Sequence, residues 1–143
     1  MQHTHTFLWI HIIWATKNRD RIFTPENGSK LFDHFLEKGK ELKCPFEKLN
    51  IQPEHVHGLI NLPTTLALKD FMSKIKGSSS YWLNNEVFNF KFSWQRGYGA
   101  YSVSASQLEK VKNYIANQSN HHKRLTFSEE YEQWKKEYGI FDD

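Results

Sequence analysis

The succession of hydrophobic periodicities constrains the fold of this chain more than any other feature. Thr6 to Thr16 (TFLWIHIIWAT) is rich in β-branched and aromatic residues, lacks glycine and proline, and reads as a central strand. A polar connection, Lys17 to Arg21, follows. Thr24-Pro25-Glu26 has the form of a helix start, with Thr24 as N-cap and Pro25 in the first helical position. Leu31, Phe32, Phe35, Leu36 and Leu42 supply an apolar stripe, and Cys44-Pro45 ends the helix. Phe46 to Gln52 and His55 to Leu62 (HVHGLINL) read as two strands separated by Pro53-Glu54. Leu66 to about Asn84 is expected to be helical, with Leu68, Phe71, Met72 and Ile75 at helical spacing and a Gly77-Ser78-Ser79-Ser80 run that weakens its middle. Phe92 to Ser104 reads as a fourth strand bent at Gly97 and Gly99. Ser106 and Glu109 have the spacing of a capping box for a helix running to about Lys123. Ser128 to Tyr138 is a candidate final helix.

Strand, helix, strand, strand, helix, strand is the order of the split βαβ, ferredoxin-like plait. The expected class is α+β: a central four-stranded antiparallel sheet with helices on one face, plus a C-terminal helix. The first and third strands are the central pair in that topology. No internal repeat or linker interrupts the pattern, and 143 residues fit one domain, 1–143. A chain of that size buries roughly two-thirds of the surface its unfolded form exposes. Cys44 is the sole cysteine, so no intrachain disulfide forms and a reducing compartment is the simplest expectation. No apolar run approaches the ~20 residues of a membrane span, and the N-terminus lacks the pattern of a signal peptide. The expectation is a cytoplasmic protein with no membrane partner.

Charge is a weak guide. Nineteen basic against sixteen acidic side chains leave +3. The basic residues cluster, as Lys17, Arg19 and Arg21, as Lys69, Lys74 and Lys76, and as His121, His122, Lys123 and Arg124. Such groups can line a nucleic-acid surface, or they can be ordinary solvated faces. Five Trp, six Tyr and eleven Phe are more than a sequence reading can divide between the core and base stacking.

His55-Val56-His57 carries the chemistry. Side chains alternate along a strand, so His55, His57 and Leu59 share one face, with Val56, Gly58 and Ile60 on the other. Two imidazoles on one face can reach one metal ion, although an HxH pair on its own is also compatible with a structural role. Imidazole accepts Mn, Zn, Ni and Cu and, less readily, Mg. No further Cys or His set completes a closed tetrahedral site, which argues against structural zinc. Tyr114 and Gln118 lie one helical turn apart, at the edge of a stripe formed by Leu108, Val111 and Ile115. A tyrosine in that position is a packing residue in most helices. Together with two histidines and an amide oxygen it suggests metal-assisted phosphoryl transfer through a phenol.

Four blocks strengthen that suggestion: the opening strand leading into Thr16-Lys17-Asn18-Arg19, PEHVHGLI at Pro53 to Ile60, WQRGYGAYSVS at Trp94 to Ser104, and YIANQSNHH at Tyr114 to His122. In order and spacing they resemble the single-tyrosine HUH transposases of small bacterial insertion sequences (the IS200-like family) and their relatives associated with repetitive palindromes. The resemblance covers nearly the whole chain. It implies that His55, His57 and Gln118 are ligands of a divalent metal, Mg²⁺ or Mn²⁺, and that Tyr114 is the nucleophile, forming a 5′-phosphotyrosine on single-stranded DNA. It also implies recognition of hairpin ends and a homodimer in which the tyrosine helix can serve the partner's histidines. Lys17, Arg19, Arg21, Lys74, Lys76, Arg96, His121, His122, Lys123 and Arg124 are the candidate DNA contacts. The alternative is a domesticated hairpin- or single-strand-binding or processing protein derived from such a transposase. Relaxases of the wider HUH class place the tyrosine before the histidines, and initiators carry extra domains for which 143 residues leave no room.

Overall fold

The computed structural model describes residues 4–117 and, beyond them, Glu129, Glu132, Gln133 and Lys136. The elements run β1 (Trp9–Ala15), α1 (Pro25–Glu41), β2 (Phe46–Ile51), β3 (His55–Asn61), α2 (Leu68–Trp82), β4 (Gly99–Ser102) and α3 (Leu108–Ala116). The sheet has four strands in the order β2-β3-β1-β4, each pair antiparallel. This is the ferredoxin-like plait, with β1 and β3 at its centre.

Each face of the sheet has its own core. Ile12 and Trp14 of β1, Val56 and Ile60 of β3, and Phe46 and Leu49 of β2 pack beneath α1 and α2. Those helices contribute Leu31, Phe35, Phe71, Met72 and Ile75, all fully or nearly fully buried. The opposite face carries a smaller cluster, Leu59 and Val103 against Val111 and Ile115 of α3, with Trp9, Leu108 and Tyr114 at its margin. Helices therefore cover both faces of the two central strands, which accounts for the unbroken burial from His11 to Ala15 and from His55 to Ile60. A Lys112 Nζ–Glu47 Oε1 ion pair of 3.2 Å fastens α3 to β2.

Helix α1 starts as its sequence dictates. The Thr24 hydroxyl accepts from the Asn27 amide at 3.2 Å, and Asn27 Oδ1 accepts from the Thr24 amide at 2.7 Å. This reciprocal cap satisfies two of the free amides of the first turn. The helix ends with Lys43 in the left-handed region, φ 58°, ahead of Pro45. Helix α2 continues through Gly77 without a break. Ser79 is buried in it, donating to the Ile75 carbonyl at 2.7 Å and accepting the Trp94 indole N–H at 2.9 Å. One wider turn, Leu83–Val87, then completes it.

Three expectations are corrected. The fourth strand is shorter than Phe92 to Ser104, pairing with β1 only over Gly99–Ser102 apart from an isolated bridge between Thr16 and Trp94. Phe92 instead pairs with a side chain: its amide donates to Asn84 Oδ1 at 2.6 Å and its carbonyl accepts from Asn84 Nδ2 at 3.0 Å. The left-handed Gly97, φ 81°, then re-aims the backbone into β4. The Ser106–Glu109 capping box does not form, because a tight turn over Ala105–Gln107 precedes α3 and Ser106 Oγ faces Ser104 Oγ at 3.1 Å. The first strand is also trimmed, leaving Phe7 and Leu8 exposed. The candidate helix at Ser128–Tyr138 lies largely outside the described residues. Among the described residues no helix is long and apolar enough to cross a membrane.

Candidate active site

The site lies on the α3 face of the two central strands. In β3, His55 and His57 share that face, and their Nε2 atoms are 3.0 Å apart. Both side chains are buried. Behind each ring stands a further polar group. Glu54 Oε1 is 2.8 Å from His55 Nδ1, and its other oxygen is 3.1 Å from Arg21 Nη1. His11 Nε2 is 3.0 Å from His57 Nδ1. The register explains the last contact: Ile13 pairs with His57 and Leu59 with His11, which puts His11 on the diagonal from His57 on the same face. Arg21, Glu54, His55, His57 and His11 thus form one continuous polar chain across β3 and β1.

The hydrogen-bond chemistry of this chain decides what the pair can hold. An ionised carboxylate only accepts, so His55 Nδ1 carries the proton toward Glu54, and His55 Nε2 presents a lone pair. When His57 Nδ1 donates to His11 Nε2, His57 Nε2 presents a second lone pair to the first. At 3.0 Å the two Nε2 atoms share a proton in a hydrogen bond, and a cation can take that proton's place when both present lone pairs. Nitrogen ligands about 2.1 Å from an ion and at right angles are about 3.0 Å apart. The residues present therefore fit a divalent metal as two of its ligands. Among the described residues no group of three or more His, Cys, Asp or Glu side chains is arranged to hold a metal. A further protein donor must come from elsewhere, and Gln118, the expected third ligand, lies outside the described residues.

Helix α3 brings Tyr114 to the pair. Val111 and Ile115 anchor the helix in the lower core, and Tyr114, half-buried, sits beside that stripe. Its ring meets His57 edge-on at a centroid distance of 5.8 Å and His11 at 6.2 Å. The tyrosine and both histidines of the motif are therefore brought together within one chain.

The candidate DNA contacts divide. Lys17, Arg19 and Arg96 are exposed on a rim where the turn after β1 meets the 93–97 segment. That rim is stitched by backbone bonds from Lys17 N to Ser93 O (3.1 Å) and from Gln95 N to Ala15 O (2.8 Å), and by the Asn18 amide donating to Gln95 Oε1 (3.0 Å). Asn18 and Arg19 are both left-handed, at φ 59° and 56°. Such a conformation costs about 1–2 kcal/mol per non-glycine residue, and here the Thr16 hydroxyl, bonded to the Asp20 and Glu54 carbonyls, ties the turn down. Arg21 reaches back to Glu54. Lys76 is half-buried, donates to the Gln95 and Gly97 carbonyls at 2.8 and 2.9 Å, and has its pKa lowered by that burial. Lys74 is exposed on α2. His121, His122, Lys123 and Arg124 lie outside the described residues.

Sequence reasoning passed over His11 and Glu54. The available signal was parity: with the first and third strands as central neighbours, the lone imidazole of TFLWIHIIWAT has even odds of sharing the face of His55 and His57.

The plait thus gathers two strand histidines beside a helical tyrosine, and its likeness to known proteins places the chain in a family. A family model described as "Transposase IS200 like" matches residues 4–118. The chain belongs to the IS200-like transposase family. It is 27% identical over 129 residues to the transposase of insertion sequence element IS200 from Salmonella typhimurium, covering 82% of this chain and 81% of that protein. It is 24% identical over 115 residues to the ISDra2 transposase TnpA of Deinococcus radiodurans, covering 76% and 81%. A crystal structure of a candidate transposase from Deinococcus radiodurans superposes with a TM-score of 0.64 at 24% identity, over 82% of this chain and 95% of that one. A REP-associated tyrosine transposase bound to a REP hairpin superposes with a TM-score of 0.66 at 12% identity, over 87% and 76%. These two likenesses establish the shared fold.

Proposed function

We propose that this chain is a transposase that cuts and rejoins single-stranded DNA through Tyr114, with a divalent metal held by His55 and His57. The observation that carries the reading is the Tyr114 ring resting edge-on against His57, whose Nε2 faces that of His55. A bound Mg²⁺ or Mn²⁺ supplies charge stabilisation on the oxygens of the scissile phosphate. Gln118, one turn beyond Tyr114, is assigned as a third ligand on the strength of the motif alone.

The chain's own residues supply the rest. Glu54 and His11 fix which nitrogen of each imidazole faces the site and hold both rings in place. Tyr114 Oη attacks phosphorus, losing its proton, and the bond to the 3′ oxygen breaks. The products are a 5′-phosphotyrosine and a 3′-hydroxyl that has taken up a proton. The phosphodiester energy is kept in the covalent link, so attack by a 3′-hydroxyl reseals the strand without ATP. Lys17, Arg19 and Arg96 stand on the rim where the strand's phosphates pass. The hairpin in the REP-associated relative supports hairpin DNA as the partner here too. The homodimer rests on the family resemblance; the packing of Tyr114 on its own chain's His57 supports a site assembled within one protomer.

The decisive experiment incubates the protein with Mn²⁺ and single-stranded oligonucleotides from the element ends, then separates covalent adducts under denaturing conditions. The native chain forms an adduct that chelation prevents, and Tyr114→Phe forms none. An adduct with Tyr114→Phe rejects the nucleophile.

A further inference from the structure

We infer that the cleft between the turn at residues 16–20 and residues 90–93 is a nucleotide subsite that receives an unpaired base of single-stranded DNA. The inference rests on the single-strand reading proposed above and assigns it a specific stacking residue.

The cleft has a volume of about 310 Å³, at the low end of ligand sites and ample for one nucleoside. Its lining combines three kinds of group. Phe90 is a ring left 48% exposed and already stacked on Phe88, with centroids 4.5 Å apart and planes inclined by 20°. Phe88 in turn packs on Phe23 and Phe92, so the outer ring stands on a column of aromatic side chains that continues into the core. Such a platform is ordered before any ligand arrives, which lowers the entropy that binding must overcome. Lys17 and Lys91 line the same cleft with two exposed ammonium groups suited to flanking phosphates. Asp20, between them in character, offers a carboxylate that accepts from a base N–H and repels a phosphate, so it orients a nucleotide base-inward.

Position ties the cleft to the chemistry. Thr16 lines it, and the Thr16 amide and hydroxyl both donate to the Glu54 carbonyl, at 2.9 and 3.2 Å. Glu54 is the residue whose carboxylate holds His55. The cleft wall is therefore bonded, through a backbone carbonyl, to the residue whose side chain stands behind His55. The inner face of Phe90 packs on Phe88 and its outer face is left to solvent, and unpaired bases gain their binding energy on such a surface.

The test compares two probes with the same backbone charge: an oligothymidylate of about a dozen nucleotides and an abasic oligomer of equal length. Phe90→Ala and Phe90→Leu should weaken oligothymidylate binding by at least about fivefold and leave the abasic oligomer unaffected. Phe90→Trp should restore native affinity. Lys91→Ala should weaken both probes and flatten the salt dependence. Leucine keeps the apolar bulk without an aromatic face, so it separates stacking from packing should the alanine variant prove unstable. Native affinity of the folded Leu variant for oligothymidylate, or an equal loss on the abasic probe, overturns the subsite. Failure of the native protein to bind either probe rejects the single-strand reading instead. Mn²⁺ affinity, unchanged by Phe90→Leu, confirms that the histidine site is intact in the comparison.

Discussion

His11 Nε2 lies 3.0 Å from His57 Nδ1, so one of the two facing imidazoles is held from behind by a third histidine on the neighbouring strand. This pair is buried between the sheet and α3. Its geometry makes His11 a positioning residue, acting on the site through His57. Removing such a partner from a ligating histidine weakens metal affinity by about 10–100-fold. His11→Ala should therefore reduce Mn²⁺ affinity by that factor in calorimetry, while the far-ultraviolet dichroism stays native. His11→Gln, which keeps a polar group on the same strand position, should recover part of the loss. Native Mn²⁺ affinity in His11→Ala would show that the contact is packing alone.

The site was partly legible before the fold was known, for reasons that differ from residue to residue. His55 and His57 were legible because strand alternation is strictly local. Thr24 and Pro25 were legible as a cap because the reciprocal bonds span three residues. His11 was not, because its meaning depends on the β1–β3 register, a pairing across 46 positions. Phe92 misled for the same reason: the partner of its backbone is the side chain of Asn84, and nothing in FSWQRGYGAYSVS distinguishes that from a strand neighbour. Ser79 read as a weak point in α2 because its Trp94 partner lies fifteen residues on.

Gly58 sits beneath an aromatic ring in the strand that carries the histidines. A Cβ there would stand 2.8 Å from Phe46 Cε1 and 3.0 Å from Cδ1. Gly58→Ala should therefore destabilise the protein by about 1–3 kcal/mol, the cost of overpacking a filled core. Denaturant unfolding measures it. Phe46→Leu, which withdraws the ring, should cost less in the Gly58→Ala background than in the native one, and strictly additive effects would place the strain elsewhere.

Cys44 is buried, with its thiol directed at the Asn61 carbonyl 3.8 Å away, and burial raises its pKa from 9.0 to about 11. The native thiol should resist aromatic disulfide reagents at pH 8 and react only as fast as the protein opens. The sign of the pH effect follows from linkage. Between 9 and 11 the unfolded chain has released the thiol proton and the folded chain keeps it, so stability falls as pH rises through that window. The loss approaches about 2–3 kcal/mol at its upper end. Cys44→Ala should remove this part of the alkaline slope; an identical slope in the variant would assign it to other groups.

Glu54 joins two different environments, and its variants can separate them. One carboxylate oxygen holds the buried His55 ring, while the other meets Arg21, whose side chain is 71% exposed. The guanidinium end of this pair lies in solvent, which screens it to about 1 kcal/mol or less, so Arg21→Ala should barely alter stability or Mn²⁺ affinity. Glu54→Ala removes the acceptor behind His55, the proposed metal ligand, and should lower Mn²⁺ affinity by about 10–100-fold. Glu54→Gln retains an oxygen for His55 Nδ1 but loses the charge that polarises the ring, and should fall between them. Calorimetric titration of the three variants gives the ranking. Should Arg21→Ala weaken single-strand binding while leaving Mn²⁺ affinity intact, Arg21 serves the DNA rather than the histidines. A loss of Mn²⁺ affinity in Arg21→Ala as large as in Glu54→Ala would instead mean that the guanidinium is what keeps the carboxylate in place behind His55.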